Sequence, residues 1–353
     1  MNGPGPSPLP DLLGTRPKSE YLLRPPPVGE FPLDVLITVD TEFSPRSIGD
    51  PSGYARWIAR DFDGRTKAGD FGVAYQLARF AESGVRACFM IESLHATTVG
   101  FDALDRVVDA VKRGGHDLQL HVHSEWRPAG VDPLPGRDGT RLCHFSEDAQ
   151  LRMIEAARDN LVRAGAPTPV ALRAGHYAAD SATLRAAARA GLKFDSSYSR
   201  ARISAGSDFP AEPPIVSPRR MEGVVEVPIS CFRHLPGRYR PAQLCACSAA
   251  ELDGALFGSA LRGDPVFTVV SHSFELVARR DGEPEDALPN PLVRRRFDSL
   301  LATLSSRKDL FRTTGFDRLD ADALAATKPV EPLRSPLGRT LARYAQQITG
   351  LGS

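Results

Sequence analysis

The chain has 353 residues, 42% of them hydrophobic and 25% charged, which suffices for one large core or two modest ones. A formal net charge of +1 gives no electrostatic reason to invoke nucleic acid or an anionic membrane, and no apolar run approaches the ~20 residues of a membrane span. The N-terminus lacks a basic stretch followed by an apolar run and a cleavage site, so the expectation is a soluble, cytoplasmic protein.

Residues 1–33 are rich in Pro and Gly and lack hydrophobic periodicity, which predicts a flexible arm. VLITVDTEF at 35–43 is an apolar β-branched run ending in Asp40-x-Glu42, and it reads as a buried strand with two acids at its C-terminal end. The polar stretch from 43 to 66 is expected to be a long functional loop. An amphipathic helix closed by Gly84 precedes the strand VRACFMI, and FDALDRVVDAVKRGG predicts a helix before the strand DLQLHVH. The segment 146–165 reads as a helix with Ser146 as N-cap and Gly165 as its stop, leading into PVALRAG. SATLRAAARAG is helical and runs into LKFDSS; residues 200–222 form a Pro/Arg/Ser-rich excursion, and VVEVPIS resumes a strand pattern. Helix 249–263, strand PVFTVVSH, helix 291–308 and the short strand LFRTT complete the alternation, and PLGRTLARYAQQITGLGS predicts a short basic amphipathic helix. About seven β/α alternations imply a parallel sheet with helices outside, and the alternation alone permits either a closed barrel or an open doubly wound sheet. The expected division is an arm at 1–33, one barrel at 34–327 and a tail at 328–353.

The chemistry-bearing residues arrive in a regular manner. Short apolar runs deliver Asp40 and Glu42, then His121 and His123, then Arg173, then His272, as expected when successive strands end at one common face. Alternation along a strand points Asp40 and Glu42 to the same side. It also sets His121 and His123 about 6.6 Å apart on one face, close enough to share an ion. With Glu42 they form a three-ligand site that leaves a position for water. Five cysteines, Cys88, Cys143, Cys231, Cys245 and Cys247, have no framework spacing and point to a reducing compartment. Cys245-Ala246-Cys247 lacks a second Cys/His pair nearby and reads as incidental.

This order of motifs resembles the polysaccharide deacetylases, the NodB-homology family of metal-dependent amide hydrolases, and most of all their WalW-like lipopolysaccharide-biosynthesis branch. The resemblance spans roughly residues 34–315 and implies a single distorted (β/α)7-type barrel. It implies Asp40 as the catalytic base, Glu42 as the metal carboxylate, Arg173 as the cation that orients Asp40, and His272 as the acid that protonates the leaving amine. By the same resemblance the cofactor is one divalent metal ion, zinc (Zn2+) by preference, and the substrate an N-acetylated sugar or glycan precursor. The family's usual histidine pair is four residues apart; here that spacing gives Glu125 while the second histidine is His123, so either could complete the ligand set, and His123 is preferred because imidazole suits zinc. Asp195 in KFDSS is the expected partner of His272, His176 is expected to line the substrate groove, and the backbone near Tyr177 is the expected oxyanion donor. His116 is assigned no chemistry. A non-catalytic glycan-binding barrel and a hydrolase of another, cyclic amide are the alternative functions.

Overall fold

The run beginning at Val35 forms the hub strand, β1 (Leu33–Thr41), in a computed structural model that describes residues 32–43, 53–203, 207–210, 212–278 and 286–350. The arm predicted at 1–33 lies almost entirely outside the described residues. After β1 come α1 (Tyr54–Asp61), α2 (Val73–Ser83), β2 (Cys88–Glu92), α3 (Asp102–Arg113), β3 (Asp117–Val122), α4 (Glu147–Arg163), β4 (Ala171–Ala174) and α5 (Ser181–Arg189). The second half contains β5 (Phe194–Asp195), β6 (Arg219–Met221), β7 (Val224–Glu226), β8 (Cys231–Leu235), β9 (Arg238–Pro241), α6 (Ala249–Arg262), β10 (Val266–His272), α7 (Pro291–Ser306), β11 (Phe311–Thr314), β12 (Leu333–Arg334) and α8 (Leu337–Gly350). Ser146 caps α4 by accepting from Ala149 N, and Gly84 and Gly263 close α2 and α6 in the left-handed conformation, as their positions predict. Helix α1 falls within the stretch expected to be a loop, and the β8–β9 hairpin was not legible from hydrophobic pattern.

The strands follow the order β10-β1-β2-β3-β4-β5-β7-β6, and β11 pairs with the N-terminal half of β1. Pairings from β10 through β7 are all parallel, as helical crossovers require, and β6 alone runs antiparallel, against β7. Because β1 sits beside β10, the first and a late strand are neighbours and the sheet curls rather than opening into a doubly wound array. No strand ladder joins β7 to β10 among the described residues. The gap is bridged by single backbone bonds, from Ser230 N to Thr268 O (3.2 Å), Val270 N to Ala242 O (2.9 Å) and Leu244 N to Val270 O (3.0 Å). The architecture is a curled α/β sheet whose last joint is made by irregular backbone.

Alternation divides each strand between two environments. Val35, Ile37 and Val39 join the main core with helix residues such as Phe80, Val108, Leu161 and Leu256, while Leu36 belongs to a second cluster with Cys88, Met90, Ala171, Phe194, Val266 and Phe316. That second face is apolar near the strand starts and turns polar toward their ends, where Thr38, Asp40, His121 and Arg173 are buried. At the C-terminus, α8 packs through Thr340 and Arg343, the latter 3.3 Å from Glu251 of α6, and exposes Leu337, Leu341, Tyr344 and Ile348. No described helix is long and apolar enough to cross a membrane.

Gln119 pins β3 to β4 beyond the ladder. Its Oε1 accepts from Val170 N (2.7 Å) and Ala171 N (2.8 Å), and its Nε2 donates to Asp117 Oδ1 (2.8 Å). Gln119→Leu removes the acceptor from the buried Ala171 N–H and the part-buried Val170 N–H, at an expected cost of roughly 1–3 kcal/mol for the buried one. The check is a lowered urea midpoint at unchanged m-value.

Candidate active site

The strand ends converge on a cavity of about 170 Å³ lined by Asp40, Glu42, His121, His123, Ala174, His176, Tyr177, Arg202, Gln243 and His272. Asp40, on its wall, forms an ion pair through Oδ1 with Arg173 Nη1 at 2.6 Å. Arg173 is fully buried and Asp40 is 2% exposed, so this is not the solvated strand-end bridge that a lone Arg would suggest. Every side of the guanidinium is engaged: Nη1 also donates to Thr38 Oγ1 (2.7 Å), Nε to Ser196 O (3.0 Å) and Nη2 to Ser196 Oγ (3.0 Å). Arg173 thereby holds Asp40 Oδ1, while Asp40 Oδ2 lies 3.9 Å from His272 Nε2.

Beside this pair, Glu42 Oε2 meets His121 Nε2 at 2.8 Å and His123 Nε2 at 2.6 Å. His121 Nδ1 donates to the Arg173 carbonyl (2.9 Å), and His123 Nδ1 donates to Glu125 Oε2 (3.3 Å). With each Nδ1 committed as a donor, each Nε2 either carries a proton toward Glu42 or gives its lone pair to a cation at the same place. Burial alone would raise the Glu42 carboxyl, but the charge on His123 and the hydrogen bonds from both rings outweigh it and hold it well below the usual range. Burial acts downward on His123, and the charges and hydrogen bonds of Glu42 and Glu125 overcome it and raise the ring well above its ordinary value. Gly175 shapes the same site, since a Cβ there would lie 2.7 Å from Cδ2, Cε1 and Nε2 of His123. One carboxylate oxygen, two imidazole nitrogens, their outer hydrogen bonds and this fitted cradle suit a divalent ion. Glu125 stands behind His123 and also bonds His176 Nε2 (2.9 Å); with His123 and His176 it forms a second group whose ligand atoms lie close enough to hold an ion, next to that of Glu42, His121 and His123.

Across the cavity, His272 Nδ1 donates to Glu275 Oε1 at 2.8 Å. Burial works against the protonated ring, but the hydrogen bond and charge of Glu275, aided by Glu42 and Asp40, raise it to about 9. Gln243 Nε2 (2.7 Å) and the Cys245 thiol (3.2 Å) donate to the same Glu275 oxygen. The expected partner of His272, Asp195, is elsewhere. Its carboxylate accepts from Ser197 N and Ser197 Oγ (2.9 Å each), and it is in register with Glu226, whose carboxyl is pushed well up by burial and by the Asp195 charge. The reason is local: Glu275 lies three residues after His272 on the turn that follows β10, whereas Asp195 ends a strand on the far side of the curl. The His272-x-x-Glu275 spacing within VVSHSFEL was the available signal for it.

His176 and Tyr177 both line the cavity and both hold left-handed backbone, at φ 58° and 56°. Strain of this kind at non-glycine residues persists where the surroundings hold it. The Tyr177 phenol is buried without a hydrogen-bond partner, so its hydroxyl is a donor in addition to the backbone near it. Arg202, Gln243 and Glu275 were not legible as site residues, because each reaches the site from a loop or turn without hydrophobic pattern. His116 accepts from Ala87 N (3.1 Å) and, chiefly through burial, falls to about 4 in a structural position.

No family model and no curated protein matches the chain. Among solved structures, a Mycobacterium smegmatis protein assigned as a polysaccharide deacetylase aligns at 18% identity over 88% of this chain and 96% of that chain, with a TM-score of 0.53. A 4-alpha-glucanotransferase from Thermococcus litoralis aligns at 11% identity over 91% of this chain and 47% of that one, with a TM-score of 0.49. A family 4 carbohydrate esterase from Streptomyces lividans, in complex with acetate, aligns at 11% identity over 84% of this chain and 97% of that one, with a TM-score of 0.41. The first likeness establishes a shared fold.

Two outcomes are expected from this geometry. Gly175→Ala should displace the His123 ring and weaken divalent-ion binding by about 10- to 100-fold, the usual effect of disturbing a ligand's support, with the far-UV circular dichroism spectrum unchanged. In the metal-free protein, Glu275→Gln should lower the His272 pKa from about 9. The protonated ring's contribution is complete below its ordinary value near 6.5 and is lost as pH rises through the folded value, so in the variant the loss moves to lower pH. An imidazole NMR titration reads the shift.

Proposed function

We propose that the chain is a metal-dependent hydrolase that removes an N-acetyl group from an amino-sugar-containing glycan or glycan precursor. One observation carries this reading: a carboxylate held by a buried cation, three side chains able to hold an ion and a histidine held by a carboxylate all border one cavity at the strand ends. A binding surface for sugars needs none of these acid–base devices together. Family resemblance in the motif order supports the same reading and includes the lipopolysaccharide-biosynthesis branch as the nearest type. Cys88, Cys143, Cys231 and Cys247 are buried, Cys245 is half-buried and no two of them form a disulfide, which is in keeping with a reducing, cytoplasmic compartment.

Glu42 Oε2 and the Nε2 atoms of His121 and His123 would hold the ion, zinc by its preference for imidazole nitrogen. When bound, it supplies Lewis acidity for the acyl oxygen and acidifies a water molecule. Asp40 Oδ2, the oxygen left by Arg173, accepts the proton of the attacking water as the new C–O bond forms. Arg173 pairs with that carboxylate and orients it. Tyr177 offers its unpartnered hydroxyl to the oxygen that gains charge in the tetrahedral intermediate. His272 Nε2–H then protonates the sugar nitrogen as the C–N bond breaks, giving the free amine and acetate. The proton taken by Asp40 and the vacancy left on His272 are 3.9 Å apart, so transfer between them resets the site.

Acetate release from N-acetylated sugars tests the reading. Asp40→Asn keeps shape and ion but cannot accept the proton, and turnover should fall by about 10² to 10⁴. His272→Gln should impair amide hydrolysis far more than hydrolysis of nitrophenyl acetate, whose leaving group departs without a proton. Turnover of Asp40→Asn within a few-fold of the parent, or equal losses on ester and amide for His272→Gln, would refute the assigned roles.

A further inference from the structure

Beside the catalytic cavity lies a second one of about 580 Å³, bordered by Arg200, His234, Arg238, Tyr239, Arg240 and Tyr344. We propose that it binds the phosphate of a phosphorylated acetamido sugar whose acetamido group enters the catalytic cavity. The proposal rests on the deacetylase reading for the second half of that statement only; the anion site stands on its own residues.

Two short runs of chain join the cavities. Arg200 borders the second and Arg202 the first, and Arg240 of β9 borders the second while Gln243, three residues on, borders the first and bridges to Val270 of β10. Charge is one-sided here: none of the bordering residues is a carboxylate. The acids that approach the cluster are Glu212, which is 64% exposed and pairs with Arg200 at 2.8 Å, Glu251, which lies 4.0 Å from Arg240 and 3.3 Å from Arg343 of α8, and Glu331, whose charge reaches Arg233. Arg238 is exposed and has no ion-pair partner among the described residues. Burial, followed by the fields of Arg240, Arg343 and Arg238, pushes His234 down to about 4, the response of a ring in a positive environment.

The guanidinium groups around the cavity are only partly engaged. Nε of Arg200 and Arg233 has no hydrogen bond among the described residues, Nε of Arg240 stands 4.0 Å and Nε of Arg343 3.3 Å from Glu251, and Arg200, Arg238 and Arg240 border the cavity. A tetrahedral oxyanion there pairs with several of these groups at once. Tyr239 lies under two of these guanidinium groups, 4.7 Å from Arg200 and 5.5 Å from Arg233, which orients their planar forks. A cavity of equal volume at the opposite end of the strands has no such bias, since Asp34, Asp264 and Asp309 border it with Arg312 and Arg318.

The test compares N-acetylglucosamine 1-phosphate with neutral diacetylchitobiose. For the parent, the phosphorylated sugar should have the lower KM, and inorganic phosphate should compete with it. Arg238→Glu should raise KM for the phosphorylated sugar at least 10-fold more than for the neutral one, with Arg238→Lys restoring most of the difference. Calorimetric binding to the Asp40→Asn protein reads the same preference without turnover. Loss of the deacetylase reading would therefore appear as binding without acetate release on any sugar. Equal binding of both sugars, an unchanged ratio in Arg238→Glu, or phosphate that binds without competing would each overturn the proposal.

Discussion

The buried pair of Arg173 and Asp40 is the constraint on which the rest of the site depends. A guanidinium out of water is tolerable only when its donors are all satisfied, and here they reach β1 through Thr38 and Asp40 and the end of β5 through Ser196. The backbone carbonyl of the same residue sets the tautomer of His121. One residue therefore positions Asp40, orients His121 and ties separate strands together. Removing it would leave Asp40 buried and uncompensated, which typically costs about 3–5 kcal/mol.

Around that pair the interior is graded. The residues enclosed by the sheet are Leu36, Met90, Ala171 and Val266 near the strand starts and Asp40, His121, Arg173 and His272 at their ends. The apolar floor excludes water and fixes the strands, and the polar upper layer has its hydrogen bonds supplied by neighbouring strands and turns. Gly175 belongs to this economy of space, because the His123 ring occupies the volume a larger residue would need.

Much of this was legible before any coordinates. Period-2 runs and helix caps located the helices and most strands, because each obeys local rules: Ser146 caps its helix through its own side chain, and Gly84 ends one through a left-handed turn. Asp40, Glu42, His121, His123, Arg173 and His272 were legible because strands deliver them in order to one rim. What escaped comes from tertiary contact. Asp195 was read as the partner of His272 from its place near a strand end, yet Glu275 won by chain proximity. Arg202 and Gln243 reach the rim from irregular segments, where neither period nor cap betrays direction. The hairpin of β8 and β9 also escaped, since CFRHLPGRYRP has no clean apolar alternation.

The register between β1 and β10 has a consequence for how the protein fails. Asp40 is aligned with His272, and Ser273 N donates to Asp40 O at 3.0 Å, so the two side chains that face each other across the cavity occupy one row of the parallel ladder. Their spacing is set by adjacent strands, about 4.8 Å between chains, rather than by loops that close over a ligand. Fraying of a surface segment leaves that row intact, and separating it requires the central strands to part, which in a sheet of this kind coincides with global unfolding. Separation of Asp40 from His272 on heating and loss of secondary structure are thus one event, and sequence drift in the surrounding loops can alter what enters the cavity while that row stays fixed.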